Sequence, residues 1–129
     1  MKNIYIKPKT HYNLDVVKEK FIPFVSSLIE RAINGSRYAK LFTYLKNTYG
    51  VEKSEITDAI IKSIKITTAG NYIIIYIDRN SLVTKNSKVN FLNIVHIMDF
   101  GNREIRGNGL ITYIMNLIES NFVELCLVV

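Results

Sequence analysis

The chain has 129 residues, of which 48% are hydrophobic and 22% are charged, and these proportions exclude a disordered chain and indicate one globular domain with one core. The net charge of +6 lies in residues 1–50, which hold nine Lys or Arg and three acidic residues, because residues 51–129 hold eight of each. The longest apolar run, Tyr72–Ile77, is far shorter than the roughly 18 residues of a membrane helix. No signal-peptide pattern opens the sequence. We therefore expect a single domain over residues 1–129, made and kept in a cytoplasm, without a membrane partner.

The first elements predicted along the chain are a strand and a helix. Ile4 and Ile6 alternate with polar neighbours, which predicts a short edge strand or an arm. From residue 13 to residue 32, apolar residues recur at spacings of three and four, and this pattern predicts an amphipathic helix with Asn13 or Asp15 as its N-cap. Pro23 lies inside it, so we expect either a kink there or a regular helix that starts there.

Residues 34–50 contain the signals for a helix end and a second helix. Asn34 and Gly35 are expected to end the first helix, because both tolerate the left-handed backbone conformation of a C-cap. Ser36 can cap a second amphipathic helix, which Gly50 ends. We expect the two helices to form a hairpin.

The periodicity then changes from helical to strand-like. A short helical turn is predicted to open at Ser54, with acidic residues in its first turn. Residues 64–68 alternate, residues 69–71 favour a tight turn, and Tyr72–Ile77 is the most strand-prone segment of the chain. These features predict a β-hairpin.

The remaining third of the chain has weaker signals. Residues 78–90 are polar and aperiodic, which predicts a long loop. Residues 91–98 form an apolar stretch that fits a buried strand or a short helix equally well. Residues 101–109 hold three of the six glycines and predict a turn-rich connection. A helix is expected from residue 110 to about residue 121, and the strand-prone residues 122–129 favour a strand that closes the sheet.

Together these elements predict an α+β fold. A small, mainly antiparallel sheet should pack against helices, with an N-terminal helical hairpin, a central β-hairpin and a C-terminal helix. Residues 1–50 would be its basic, mostly helical part, and residues 51–129 would supply the β-hairpin, the long loop and the last helix.

The residue types that usually carry catalysis or bind metals do not form a pattern. His11 and His96 lie far apart in unrelated contexts, and Cys126 is the only cysteine, which excludes a disulfide or a thiolate zinc site within one chain. Asp78 and Asp99 each follow an apolar segment, where strand ends can gather catalytic carboxylates. No accompanying His, Lys or Ser pattern supports such a site. We predict a protein that is not an enzyme and has no cofactor or metal, with a carboxylate enzyme as the weaker alternative.

Two short glycine motifs have an ordinary structural interpretation. Asp99, Phe100 and Gly101 spell the magnesium-binding tripeptide of protein kinases, but the glycine-rich loop, strand lysine and catalytic-loop aspartate of a kinase are missing. Because Asp and Gly after an apolar segment suit turns, we interpret these three residues as a structural turn. Residues 107–109, Gly-Asn-Gly before a helix, favour a plain connection over an anion site.

The order of elements between residues 54 and 120 carries one further indication. A short helical segment leads through a Ser-Ile pair into a β-hairpin over residues 56–66. After a variable loop, residues 95–102 form an apolar segment that ends in an acidic-aromatic-glycine turn, followed by a glycine-containing loop and a final helix. This pattern, which covers about half the chain, resembles the tail-completion (head–tail joining, or neck) proteins of tailed bacteriophages.

The resemblance implies a virion structural protein that assembles in the host cytoplasm as a ring at the portal–tail junction. Its partners would be further copies of itself and portal, connector or tail components. A ring uses heterologous contacts, in which one surface meets a different surface of the next copy. The basic part could then contact packaged DNA non-specifically or face solvent. The alternative is a small cytoplasmic regulator that binds nucleic acid through its basic N-terminal helices.

The long predicted loop is the candidate oligomer interface. It exceeds the usual length of a hairpin connection and combines the cations Arg79, Lys85 and Lys88 with two isolated apolar residues, Leu82 and Val83. Loops of this size are enriched in binding functions. We therefore expect this loop to take part in assembly.

Overall fold

The computed structural model describes residues 3–8, 13–78, 91–100 and 109–127. Within these ranges, five α-helices and a three-stranded antiparallel sheet confirm the predicted α+β class. In chain order the elements are β1 (Ile4–Ile6), α1 (Leu14–Ile33), a 3-10 turn (Ser36–Tyr38), α2 (Ala39–Tyr49), α3 (Lys53–Ser63), β2 (Ile64–Ala69), β3 (Tyr72–Ile77), α4 (Phe91–Phe100) and α5 (Leu110–Leu127). None of the helices in these ranges is both long enough and apolar enough to cross a membrane.

Helix α1 begins directly after Asn13, one of the residues predicted to cap it. The Asn13 side chain accepts hydrogen bonds from the N–H groups of Asp15, at 3.0 Å, and Val16, at 3.4 Å. The helix continues through Pro23, which is exposed. Of the two predicted outcomes, a regular helix that starts at the proline is therefore wrong. Its buried residues recur at spacings of three and four, as an amphipathic helix requires, and are Val17, Phe21, Val25, Leu28, Ile29, Ala32 and Ile33.

The end of α1 differs from the prediction. Asn34 has right-handed helical angles and Gly35 is extended at φ −72°, so neither residue adopts the expected left-handed conformation. The Asn34 N–H instead closes the last helical turn on the carbonyl of Glu30 at 3.0 Å. Ser36 is the first residue of the 3-10 turn rather than a cap, because the chain winds into that turn before α2 begins.

Gly50 ends α2 as predicted. It has φ +66°, and its N–H donates to the carbonyl of Lys46 at 2.9 Å. The bond from the N–H of a left-handed residue to the carbonyl four residues earlier is that of the αL C-cap motif, the N–H of Val51 reaches back to the carbonyl of Leu45 at 3.4 Å, and Val51 is buried. The left-handed glycine therefore turns the chain into α3.

Helix α3 is longer than the predicted turn and starts one residue earlier, at Lys53. The Glu55 carboxylate accepts the N–H of Glu52 at 2.9 Å, which satisfies a backbone donor ahead of the helix. At the other end α3 stops at Ser63 and β2 starts at Ile64. The Ser-Ile pair thus joins a helix directly to a hairpin, in the predicted order.

The sheet has the order β1-β3-β2, with both pairs antiparallel. Ala69 is opposite Tyr72, so a two-residue turn connects β2 to β3, and Gly70 in that turn has φ +60°. Strand β1 pairs with β3 over three residues. The predicted hairpin and the predicted edge strand are both confirmed.

One apolar core joins all the elements. Helix α1 packs against α5 and α3, and α4 packs against α5. The apolar stretch after residue 90, which fitted a strand or a helix, is helix α4. The prediction of a C-terminal strand is wrong, because α5 continues to Leu127 and its buried stripe reaches Phe122, whose ring meets Phe24 edge-on at 6.5 Å.

Candidate functional site

The predicted oligomer interface falls outside the described residues. Arg79, Leu82, Val83, Lys85 and Lys88 all lie between Asp78, which follows β3, and the start of α4. At the near boundary the N–H of Asp78 donates to the carbonyl of Ser63 at 2.8 Å, which extends the hairpin ladder by one pair. Asp78, the last described residue before the segment, is thus held at the base of the hairpin.

The sheet itself presents an apolar surface to solvent. One of its faces carries Tyr5, Tyr72, Ile74 and Tyr76, and none of these side chains belongs to the core or packs against it. Tyr5 is 62% exposed and Tyr72 45% exposed. We call these four residues the outer face.

The strand register assembles the outer face from two separate segments. Tyr5 of β1 lies opposite Ile74 of β3, and Thr67 of β2 lies opposite Ile74 on the other side. Because side chains alternate along a strand, Tyr72 and Tyr76 share this face with Ile74. The core side of β3 takes Ile73 and Ile75, both fully buried.

This strand composition departs from that of an ordinary surface strand. An antiparallel strand with one solvated face alternates apolar and polar residues, as β2 does over most of its length. β3 is apolar on both faces. A contiguous apolar face of this kind is typical of a protein interaction site. The run of six apolar residues in the sequence already carried this signal.

The Asp99 carboxylate belongs to a different, buried region. Asp99 and Phe100 are in the last turn of α4, so these two residues are helical here rather than part of a turn, and Gly101 lies outside the described residues. Asp99 Oδ1 accepts the N–H of Ile111, in the first turn of α5, at 3.0 Å. Asp99 therefore caps a neighbouring helix.

The electrostatics of Asp99 follow from its burial. Only 6% of the residue is exposed, and burial raises the pKa of its carboxyl, while the backbone N–H groups of Ile111 and Thr112 oppose that rise. Its second oxygen, Oδ2, has no hydrogen-bond partner among the described residues. These contacts support a structural role for Asp99, which links α4 to α5.

An aromatic cluster lies close to this link. The Tyr38 ring is 5.9 Å from the Tyr113 ring, and the Arg37 guanidinium lies 4.8 Å from the centre of the Tyr113 ring. Burial raises the pKa of the Tyr38 hydroxyl, and Arg37 opposes that rise. The cluster fastens the 3-10 turn to α5 through ring packing and cation–π contact.

The described residues do not assemble a metal site from the candidate ligands. They contain no group of three His, Cys, Asp or Glu side chains that could hold an ion. His96 is exposed on α4, while His11 lies outside the described residues. Cys126 is in α5, Asp78 directly follows β3, and Asp99 is in α4. Of the residues 107–109, the described Gly109 has φ +68° and precedes α5.

Comparisons with known proteins add no relative to this picture, since the chain matches no known protein family, no curated protein and no solved structure.

Proposed function

We propose that this chain is a virion structural protein of a tailed bacteriophage, of the neck or tail-completion type. It acts by forming a ring at the portal–tail junction and has no catalytic role. The observation that carries the proposal is the outer face, because four apolar side chains on a well-formed sheet, none of them part of the core that the described residues form, suit a permanent protein contact.

The order of elements supports the same proposal. Helix α3 passes through Ser63 and Ile64 directly into the hairpin, and Asp99 lies in the last turn of α4, ahead of the final helix α5. This is the order on which the resemblance to neck proteins rests. The long α5 packs against α1, so the outer face belongs to a rigid scaffold.

A ring requires that the outer face meets a different surface of the next copy. The basic residues of the N-terminal part supply a chemically distinct surface, and tyrosine is a favourable partner for lysine and arginine through cation–π contact. Tyrosine is also enriched at the centres of protein interfaces.

The experiment that tests the proposal is imaging of the purified protein mixed with portal protein, and of particles that contain it. A ring bound coaxially to the portal is the expected result. A protein that stays monomeric at about 100 μM and binds no portal would contradict the proposal, because structural interfaces of this kind hold well below that concentration.

A further inference from the structure

A groove of about 620 Å³ lies beside β2, on a different part of the molecule from most of the outer face. Residues of α1, of the end of α3 and of β2 line it, together with Tyr76 of β3, which also belongs to the outer face. Its apolar lining includes Phe21 and Ile22 of α1 and Ile66 of β2. Ile22 is 48% exposed, which makes it one of the three most exposed large apolar side chains in the described residues.

The backbone of β2 along this groove is available for hydrogen bonding. The order β1-β3-β2 places β2 at an edge. In an antiparallel pair of strands, every second residue forms backbone hydrogen bonds with the partner strand. Because Ser63 is bonded to Asp78, the next residues of β2 that bond to β3 are Lys65 and Thr67. The N–H and C=O groups of Ile66 and Thr68 therefore point away from β3, and no described residue bonds to them.

The groove is also positively charged. Lys18, Lys62 and Lys65 line it, and no acidic residue does. None of the three lysines forms an ion pair with a described residue. A ligand that combines apolar side chains with carboxylates would match both the lining and the charge.

We propose that the β2 edge receives an extended, acidic segment of a different protein, which adds as a fourth strand beside β2. Its main chain bonds to Ile66 and Thr68, its apolar side chains enter the groove beside Ile22, and its carboxylates meet the three lysines. Strand addition of this kind obtains affinity from main-chain bonds and specificity from the alternating side chains. The inference goes beyond the neck function and holds without it.

A second copy of the chain does not fit this site. Two β2 edges brought together would gather the groove lysines of both copies at one interface, and charged side chains are one way in which edge strands avoid pairing with themselves. The chain also lacks an acidic extended segment to donate. Residues 1–12 carry three cations and no acid, residues 79–90 carry three cations and no acid, and residues 101–108 carry two cations and one acid.

The probe is a blocked, fluorescently labelled octapeptide that alternates valine and glutamate, and its control replaces every glutamate by lysine. We expect the acidic peptide to bind at least about tenfold more tightly than the basic one, since complementary charge decides between partners of equal shape. Binding should also slow hydrogen exchange at the amides of Ile66 and Thr68. Equal binding of the two peptides, or no binding of the acidic one at about 1 mM, overturns the proposal.

Two pairs of variants test separately the contribution of the groove lysines and that of the β2 backbone. Lys62→Glu combined with Lys65→Glu should weaken binding about tenfold or more. Lys40→Glu, the same charge reversal at an exposed position of α2, should leave binding within about twofold of the parent. Thr68→Pro removes an outward N–H without removing a bond to β3, so it should weaken binding, and Thr68→Val should not.

Each variant is first compared with the parent by urea unfolding. The Lys62/Lys65 variant and Thr68→Val change solvent-facing positions, so they keep the test informative if the proline variant does not fold. Unchanged peptide binding by the Lys62/Lys65 variant overturns the inference. So does a DNA oligonucleotide that displaces the acidic peptide and depends on the same lysines, because the groove would then be a phosphate site.

Discussion

The carboxylate of Asp99 caps a helix other than its own, through the 3.0 Å hydrogen bond from the N–H of Ile111. Asp99→Ala removes the acceptor and leaves that buried donor unpaired, so we expect it to lower the free energy of unfolding by about 1 to 3 kcal/mol. Asp99→Asn keeps an oxygen acceptor and should cost less. Urea unfolding of the two variants and the parent at neutral pH measures both effects.

The pH dependence gives this prediction a second readout. Burial raises the pKa of Asp99 above its ordinary value, so between the unfolded and folded pKa values the folded protein binds more protons. Its contribution to stability is therefore present at low pH and lost as the pH rises through the folded pKa. The parent should gain stability relative to Asp99→Asn as the pH falls from about 7 towards the ordinary pKa of an aspartate. A difference that does not change with pH would contradict the burial argument.

The role of Asp99 shows why single residues are hard to assign from sequence. Asparagine at position 13 and glycine at position 50 act on backbone within a few residues, and the sequence predicted both. Asp99 acts on a helix that begins eleven residues later. No local pattern encodes such a contact, because it depends on how α4 and α5 pack.

At the scale of the element, the outer face leads to a prediction about assembly. Tyr5→Ser combined with Tyr72→Ser removes the two most exposed rings of the sheet, and both positions are far from the core. We expect the free energy of unfolding to change by less than about 1 kcal/mol, because exposed substitutions have small effects. Ring formation, measured by mass photometry or electron microscopy, should be lost.

The matched control is Ile22→Ser, the third highly exposed large apolar side chain in the described residues. It lies in the groove beside β2 rather than on the outer face. We expect rings from this variant and weaker binding of the acidic peptide. Rings from the double tyrosine variant, or their loss in the Ile22 variant alone, would show that the outer face is not the assembly surface.

The elements that sequence periodicity predicted best are those with a strong local signal. The hairpin and α1 combine clear periods with turn or cap residues, and both are confirmed. The segment of α4 is apolar on nearly every side, so its period could not separate helix from strand. Phe122 and the residues after it are strand-prone, yet they continue α5 because the buried stripe of that helix extends to Phe122. In that case tertiary packing outweighed intrinsic propensity.

For the whole molecule, the segment between β3 and α4 remains the predicted contact between subunits. Replacing residues 80–89 by a short Gly-Ser connection deletes Leu82 and Val83 together with Lys85 and Lys88. The described residues form the hairpin register and a core among themselves, so we expect the variant to fold. Incorporation into particles should be lost.

The control for this deletion is the double substitution Leu82→Ser and Val83→Ser, which keeps the length of the segment. Partial loss of incorporation would assign part of the contact to the two apolar side chains. Normal incorporation of the shortened protein would show that the segment takes no part in assembly.

The candidate sites themselves were only partly predictable from the sequence. The strand that carries the outer face was predicted, but its contact with Tyr5 depends on the pairing of β1 with β3. The groove beside β2 joins residues of four elements, among them Lys18 and Lys65. Such surfaces exist only after packing, so periodicity and composition cannot locate them.

The last prediction concerns nucleic acid, the main alternative partner of a chain with net charge +6. Several cations in the basic part are engaged within the protein: Lys46 lies 3.7 Å from Glu52, and Arg37 lies over the ring of Tyr113. Of the other described cations in this part, Lys7 follows β1, while Lys18, Lys20 and Arg31 are in α1 and Lys40 is in α2. Dispersed charge gives weak and non-specific affinity for phosphates, which salt screens.

We therefore expect DNA binding to be sequence-independent and largely absent at roughly 150 mM salt. Fluorescence anisotropy with two duplexes of unrelated sequence, measured across a salt series, tests this directly. Lys18→Glu combined with Lys20→Glu should weaken the low-salt binding about uniformly for both duplexes. Sub-micromolar binding that prefers one duplex at physiological salt would instead favour the nucleic-acid regulator, since non-specific contacts do not reach that affinity under those conditions.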